Sequence, residues 1–447
     1  MLESFVALIA GFVLLAFGAN AIVSVGLQTL GRRGATLGLA FSLTLVTIGS
    51  ILPEASLIVG TRHLKELIDD GRIYVLPTGS GALPTTVDIS ERSTEPRDRV
   101  TGAFKTPVKD FGAVKDTLVG RVTNNIPVGL LIGSSLINLL LVFGIAGWRV
   151  GRPIPTTRPT LIRDAIFLVI GLGFAGLVIA RPDLVLEGPS AGDGTPSRAI
   201  YDWFGLVGIG LALAYVLLAM SSSTPAEAPR PADAAAGAAA PAATPLPSVA
   251  AIPTYLYFLG GLAALWAGSR WIVEFIADHI MWLHIQLAFA HVDVFVLLAL
   301  FGLALGVAIP ELVAASIIAR REEPDLALGT VLTATVLNLL GGLGIAILLF
   351  DGFPGLQLAD GTFANPLNQF AFDWIVLVIA VIFAVSFLLS GKELSTSESV
   401  VLILLFVGYV ALRVVPHEFK GCVTIAECAS NWLDTAIPIG GGLEAAP

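Results

Sequence analysis

The chain has 447 residues, of which 55% are apolar and only 13% are charged, and its formal net charge is −9. Soluble domains carry roughly 25% charged residues, so this composition excludes an ordinary soluble domain. Apolar runs of about 20 residues, long enough to cross a bilayer, recur along most of the chain. The runs are continuous rather than alternating, which predicts helices and argues against a barrel.

Ten membrane spans are predicted in chain order. The first run could also be a signal peptide cleaved after Ala21, but its start holds Glu3 and no basic residue, and it stays apolar toward Leu30. A first membrane helix is therefore the better interpretation. The ten spans lie near residues 4–29, 36–60, 126–147, 161–180, 200–220, 252–277, 287–319, 325–350, 371–390 and 397–415.

Three segments between and after these runs are not apolar. Residues 62–125 are rich in charge, Pro and Thr and predict an extracytoplasmic insertion. Residues 221–250 are rich in Pro and Ala and predict a flexible cytoplasmic linker. Residues 416–447 form an extracytoplasmic tail. The spans then divide into a first half, 1–61 with 126–220, and a second half, 251–415.

Basic residues in the short loops predict the orientation. They fall on one side of the membrane if both termini lie outside, and the opposite short loops are poor in Lys and Arg. We therefore expect an integral protein of the cell (inner) membrane. The residues that set this orientation are Arg32, Arg33, Arg149, Arg152, Arg158, Arg163, Arg320, Arg321 and Lys392.

A Pro-Glu pair occurs in the second span of each half, as Pro53-Glu54 and Pro310-Glu311. Proline removes a backbone donor and crowds the carbonyl four residues earlier, here that of Gly49 and of Gly306. We therefore expect each pair to interrupt its helix and to free that carbonyl. A carboxylate inside a span is costly and indicates function.

A second motif also occurs twice and ends at an asparagine. Gly133-Ser134-Ser135-Leu136-Ile137-Asn138 corresponds to residues 333–338, which end at Asn338. Glutamate and asparagine lie 84 positions apart in the first half and 27 in the second, and the difference of 57 is close to the length of the segment 62–125. Five spans per half is an odd number, so the sequence predicts an all-α membrane protein of two inverted five-helix repeats.

Helical spacing places Ser50 with Glu54, and Ser134 with Asn138, on common helix faces. If the two halves cross near the midplane, their polar groups converge on a site of oxygen ligands. Such a site suits Ca²⁺ or Na⁺ rather than a soft metal. The predicted cation ligands are Glu54, Glu311, Asn138, Asn338, Ser50, Ser134 and the carbonyls of Gly49 and Gly306.

These motifs resemble the α-repeats of the cation/Ca²⁺ exchanger superfamily, which read G-T-S-L-P-E and then G-S-N-I-F-(N or D). Residues 320–329 also resemble the loop of its second repeat. The resemblance covers the ten spans and implies alternating-access antiport, with Glu54 and Glu311 as central ligands. The transported ion would be Ca²⁺, exchanged for Na⁺ or H⁺, and no catalytic residue or cofactor is expected.

Several family hydroxyls are absent, which bears on the coupling ion. Ile51, Val307, Ala308 and Ala334 replace them, and this weakens a sodium site. Two carboxylates balance one Ca²⁺ or two protons, so proton coupling is the other option. The hydroxyls that could substitute as ligands belong to Thr47, Thr333 and Thr335.

Other patterns are weaker. His279, His284 and His291 lack metal-ligand spacing, whereas Cys422 and Cys428 predict a disulfide in an oxidising compartment. Nothing resembles a phosphate loop, a nucleophile triad or a nucleic-acid surface. Two alternatives to Ca²⁺ antiport stay open: an antiporter of another cation, and a non-transporting relative whose insertion 62–125 binds a protein partner.

Overall fold

Helices make up almost all of the chain that the computed structural model describes. The described residues are 2–32, 37–69, 72–75, 85–88, 119–150, 154–155, 158–180, 202–222, 254–290, 294–320, 324–350, 353, 356–357, 363–364, 367–391 and 393–414. Several predicted features lie outside the described residues. They are the linker 221–250 beyond its first two residues, the tail with its two cysteines, and the side chains of the three histidines.

Ten helices occur in this described part, at the positions that the apolar runs predict. They are α1 (Leu2–Arg32), α2 (Leu37–Asp69), α3 (residues 121–150), α4 (Arg158–Ala180), α5 (Asp202–Ser222), α6 (Thr254–Ala290), α7 (residues 294–320), α8 (residues 324–349), α9 (Ala371–Gly391) and α10 (Thr396–Val414).

Six of the helices, counted over their described residues, are long and apolar enough to cross a membrane. Three shorter apolar stretches lie in α1, α5 and α7. The prediction of an all-α integral membrane protein is therefore confirmed, and ten as the number of spans stays a prediction. The six stretches are Val122–Arg149, Ile162–Ile179, Tyr255–Ala277, Leu328–Leu349, Ala371–Leu389 and Thr396–Val414.

Helix α2 is continuous through Pro53, and α7 is continuous through position 310. The predicted interruption at each Pro-Glu pair is therefore wrong. Proline is tolerated inside membrane helices where neighbouring groups satisfy the freed backbone atoms. Close to this proline, Ser56 Oγ donates to the Pro53 carbonyl oxygen at 2.9 Å.

The helical irregularities lie instead in α3, α7 and α8, as π-helical turns. Ile137–Val142 in α3 and Asn338–Gly342 in α8 occupy matching places, next to the two repeated asparagines. Such turns hold an extra residue and occur often at functional sites. The remaining two are Arg121–Asn125 and Leu298–Leu303.

Short antiparallel strand pairs tie loops together. They are β1 (Arg72–Val75) with β2 (Thr85–Asp88), β3 (Ile154–Pro155) with β6 (Glu393–Leu394), and β4 (Leu356–Gln357) with β5 (Phe363–Ala364). The β3–β6 ladder pairs Ile154 with Leu394, so the loop after α3 and the loop after α9 lie at one end of the bundle. We call this the β3–β6 end.

The segment predicted as an insertion is partly folded. Helix α2 runs on to Asp69, past the predicted boundary at residue 61, and its exposed Arg62 and Glu66 form an i,i+4 ion pair of 3.7 Å. Exposed pairs at this spacing support a helix that leaves the apolar layer. The β1–β2 hairpin then follows and lies beside α6.

Helices α1 and α6 pack along a seam of glycines. A Cβ on Gly18 would lie 2.6 Å from the Gly261 carbonyl oxygen, and one on Gly268 would lie 2.6 Å from that of Gly11. The later glycine of α1 meets the earlier one of α6, so the two helices run antiparallel. Small residues allow this close backbone approach between membrane helices.

This seam predicts different effects of an alanine substitution at two glycines of α6. Gly268→Ala inserts a methyl group into backbone, and such overpacking costs about 1–3 kcal/mol. We expect a lower midpoint of thermal unfolding for the detergent-solubilised protein, measured by fluorescence. Gly260→Ala is the matched control, because nothing lies within 4 Å of its Cβ position. Equal midpoints for the two variants would contradict the seam.

Candidate cation site

Three of the predicted ligands meet in the interior, one each from α2, α3 and α8. Ser134 Oγ donates to Glu54 Oε1 at 2.7 Å, and Asn338 Nδ2 donates to the same oxygen at 3.4 Å. Asn338 Nδ2 also donates to Ser134 Oγ at 3.1 Å. All three side chains are 0% exposed. The two halves of the sequence therefore contribute to one polar cluster.

Asn138 and Glu311 complete the cluster without a hydrogen bond to it. Asn138 is 0% exposed and lies one helical turn beyond Ser134, at the π turn of α3, against which α7 packs. Glu311 of α7 is 6% exposed, and the negative charge of Glu54 acts on its carboxyl group. Both carboxylates therefore lie in one electrostatic neighbourhood.

Five buried oxygen atoms of these residues have no hydrogen-bond partner within the described part of the chain. They are Glu54 Oε2, Asn138 Oδ1, both carboxyl oxygens of Glu311, and Asn338 Oδ1. Each unsatisfied buried polar atom costs about 1–3 kcal/mol, and more if charged. Such a cluster is suited to a ligand that supplies positive charge or protons.

The donor set is that of a hard cation. The five oxygens, with Glu54 Oε1 and Ser134 Oγ, are carboxylate, amide and hydroxyl oxygens, and Ca²⁺ takes six to eight such ligands. Among the described residues no group of three or more His, Cys, Asp or Glu side chains could hold a metal ion. The site thus depends on amide and hydroxyl oxygens beside its two carboxylates.

The other predicted ligands are not part of the described cluster. Gly306 is buried with its Cα against the ring of Phe12, which a Cβ at this position would overlap. The side chain of Ser50 lies outside what the structure describes, and Gly49 is part of the continuous helical backbone of α2. Their predicted roles stay predictions.

Two substitute hydroxyls are engaged elsewhere. Thr333 Oγ1 shares a hydrogen bond of 2.8 Å with the Tyr215 hydroxyl, and Thr335 Oγ1 donates to the Val331 carbonyl oxygen at 3.0 Å. The side chain of Thr47 is not among those described. Val307, Ala308 and Ala334 are buried apolar residues where the family carries hydroxyls.

Comparison with known protein families gives one match. Residues 253–415, which run from α6 to α10 and include Glu311 and Asn338, match the family model described as "Sodium/calcium exchanger protein". The second half of the chain, by this match, is similar to that exchanger family. The resemblance predicted from its motifs is thereby confirmed. A comparison with curated proteins gave no match.

One solved exchanger structure has a similar fold, and a second is less similar. The crystal structure of the H⁺/Ca²⁺ exchanger CAX is similar over 98% of this chain and 86% of that chain, with a TM-score of 0.51 and 15% identity. A structure of the sodium-calcium exchanger NCX_Mj, soaked with 100 mM Na⁺ and 10 mM Sr²⁺, covers 91% of this chain and 97% of that chain, with a TM-score of 0.49 and 17% identity.

Two buried Asp–Tyr pairs were not predicted from the sequence motifs. Tyr215 bonds Asp164, and Tyr409 bonds Asp373. A signal was present in the sequence: both aspartates begin the pattern Asp-x-Ile-x-Leu-Val-Ile, at residues 164–170 and 373–379. The pattern is hidden by unequal loops, since the segment between the third and fourth helices of each half is longer in the second half.

Removal of one unpaired carboxylate should stabilise the protein in the absence of metal ions. Glu311→Gln replaces a buried charge by a neutral group of similar shape, and functional sites commonly hold such destabilising groups. We expect a higher unfolding midpoint in EGTA and a smaller rise on addition of Ca²⁺ than for wild type. The control is Glu274→Gln, a half-exposed glutamate paired with Arg270 at 2.9 Å. A lower midpoint in EGTA for Glu311→Gln would contradict the cluster described above.

Proposed function

We propose that this chain is a secondary active antiporter that carries Ca²⁺ through the cluster of Glu54, Ser134, Asn138, Glu311 and Asn338. The observation that carries the proposal is the set of five unpartnered buried oxygens drawn from both halves of the chain. A structural polar cluster would be expected to satisfy these atoms internally. A transport site instead leaves them for the ion, which must also be able to leave.

The position of the cluster suits alternating access. Ser134 lies 16 residues before the end of α3, and Asn338 lies 14 residues after the start of α8. At 1.5 Å per residue both lie about 21–24 Å from the β3–β6 end, well inside the span of each helix. The site is thus enclosed by protein and distant from both ends of the bundle.

We further propose that protons are the counter-ion. Glu54 and Glu311 together neutralise one Ca²⁺ or two protons, so the two loaded states carry the same charge. Exchange for Na⁺ would need flanking sodium sites beside the central one, and Val307, Ala308 and Ala334 offer no side-chain oxygen for them. Exchange of one Ca²⁺ for two H⁺ is therefore favoured over exchange for Na⁺.

The proposed architecture has two inverted five-helix repeats. The antiparallel seam of α1 with α6 supports this, because these are the first helices of the two halves. Equivalent glycines give further support: Gly144 of α3 adjoins the Ser399 carbonyl of α10, and Gly344 of α8 adjoins the Gly205 carbonyl of α5. Each third helix thus packs on the fifth helix of the other half.

The proposed orientation keeps both termini outside, in the cell (inner) membrane. The β3–β6 ladder supports it in part, because the loops with Arg152 and Lys392 lie at one end of the bundle. Lipid and small inorganic cations are the proposed partners. No resident cofactor and no enzymatic reaction are proposed, since the cation is cargo.

Flux through proteoliposomes tests the transport function. Wild-type protein should take up radioactive Ca²⁺ when a pH gradient is imposed, and a protonophore should abolish the uptake. Uptake that follows a Na⁺ gradient but ignores the pH gradient would overturn proton coupling. Uptake no greater than that of empty vesicles would overturn Ca²⁺ antiport, and the same assay with Na⁺, K⁺ and Mg²⁺ would show whether another cation is carried.

Two variants locate that flux in the site. Glu54→Gln and Glu311→Gln should each reduce Ca²⁺ uptake at least 100-fold, because each removes half of the charge that balances the ion. Glu66→Gln is the matched control, an exposed glutamate about three helical turns beyond Glu54 on the same helix. Retained function in both site variants, with loss on deletion of 72–118, would favour a non-transporting protein that binds a partner through its insertion.

A further inference from the structure

A buried ionic cluster links α4 and α5 to a helix of the site. The Tyr215 hydroxyl donates to Asp164 Oδ1 at 3.0 Å and receives a hydrogen bond of 2.8 Å from Thr333 Oγ1 of α8. Arg163 pairs with Asp164 at 2.6 Å, and its guanidinium lies 5.4 Å from the Tyr215 ring centroid. We call these four residues the Asp164 cluster.

A second cluster of the same kind links α9 and α10 to the other site helix. The Tyr409 hydroxyl donates to Asp373 Oδ1 at 2.8 Å, and Arg413 Nε lies 3.2 Å from the same oxygen. Arg413 Nη2 donates to the Gln369 carbonyl at 3.4 Å, and Gln369 Nε2 donates to Asn125 Oδ1 of α3 at 2.5 Å. We call these five residues the Asp373 cluster.

The two clusters occupy opposite ends of the bundle. Asp164 lies six residues into α4, near the β3–β6 end, whereas Asp373 lies at the start of α9, a whole helix away from that end. Each cluster belongs to the fourth and fifth helices of one half and bonds the third helix of the other half. The third helices are α3, which carries Ser134 and Asn138, and α8, which carries Asn338.

Both third helices need an external anchor because of their π turns. A π turn holds one residue more than an α-helical turn. The extra residue rotates the helix that follows about its axis, so the helix alone does not fix the direction of the side chains after the turn. Asn338 begins such a turn, five residues after Thr333. A hydrogen bond at Thr333 fixes the rotation of α8 just before the turn, and with it the direction in which Asn338 faces Glu54.

We propose that the Asp164 cluster and the Asp373 cluster are positioning groups for the cation site, which they set by fixing the rotation of α8 and α3. Ionisable residues inside membrane segments are costly and are retained mainly for function. The proposal rests on the transport site described above. It adds that Tyr215 and Thr333, whose hydrogen bonds go to one another and to Asp164, set the affinity of that site for its cation.

The experiment compares hydroxyl deletions that leave volume almost unchanged. Tyr215→Phe and Thr333→Val each remove the bond between α5 and α8, and Thr333→Ser restores it. The matched controls are Tyr255→Phe, whose tyrosine is 64% exposed, and Thr61→Val, whose hydroxyl bonds only the Ile58 carbonyl of its own helix. Tyr409→Phe reports on the Asp373 cluster.

Two readouts are taken on the purified full-length protein. Hydrogen–deuterium exchange without Ca²⁺ should rise in peptides over 333–342 for Tyr215→Phe and Thr333→Val, and over 125–142 for Tyr409→Phe. The Ca²⁺ concentration for half-maximal thermal stabilisation should rise about three- to tenfold in the same variants, as expected for loss of one hydrogen bond. Thr333→Ser and both controls should match wild type.

The outcomes separate this proposal from the transport function. If hydrogen–deuterium exchange over 333–342 is unchanged in Tyr215→Phe and Thr333→Val, the proposal that this hydrogen bond holds α8 is wrong, whatever the Ca²⁺ data show. Increased exchange with an unchanged Ca²⁺ midpoint overturns the role in positioning and leaves only a structural contact. In a third outcome, Ca²⁺ fails to stabilise the wild-type protein at any concentration while the predicted differences in hydrogen–deuterium exchange are observed. That result would overturn the proposed Ca²⁺ transport but not the hydrogen bond that holds α8.

Discussion

Two carboxylates buried at membrane depth are the constraint on which the rest of the structure depends. Glu54 is bonded only by neutral donors among its recorded partners, the Ser134 hydroxyl and the Asn338 amide, and Glu311 has no hydrogen-bond partner within the described chain. Neutral donors spread a negative charge but do not balance it. The surrounding helices therefore bury two carboxylates whose charge the neighbouring donors do not balance. Under the proposed function, the bound ion neutralises them.

Close backbone packing achieves that enclosure. A Cβ at Gly133 would clash with the Leu300 carbonyl of α7, so the backbones of α3 and α7 lie close together one residue before Ser134. A Cβ at Gly342 would likewise clash with Leu131 of α3. Glycines next to the two asparagine motifs thus bring α3, α7 and α8 together where the oxygens converge. The association does not rest on hydrophobic burial, because lipid is as apolar as the helix surfaces.

Much of this arrangement could be predicted from the sequence, and the part that failed has a physical reason. Apolar runs located the helices, and the doubled Glu and Asn motifs identified five side chains that the structure buries together. Pro53 predicted a break in α2, but the sequence does not show whether neighbouring groups satisfy the backbone atoms that a proline frees. The irregular π turns lie at Asn138 and Asn338 instead. The Asp–Tyr pairs were missed because hydrogen bonds such as that of Tyr215 with Asp164 join residues 51 positions apart.

The two halves carry the same Glu and Asn motifs but do not contribute equally to the polar cluster. Ser134 of the first half bonds Glu54, whereas the corresponding residue of the second half is Ala334, which cannot bond Glu311. Glu54 thus keeps two donors when no ion is bound, and Glu311 keeps none among the described residues. Under the proposed function, a cation would therefore compensate charge mainly at Glu311, while Glu54 would hold the surrounding helices in place. The asymmetry gives one carboxylate an organising role and the other the greater dependence on the ion, although both come from the same repeated motif.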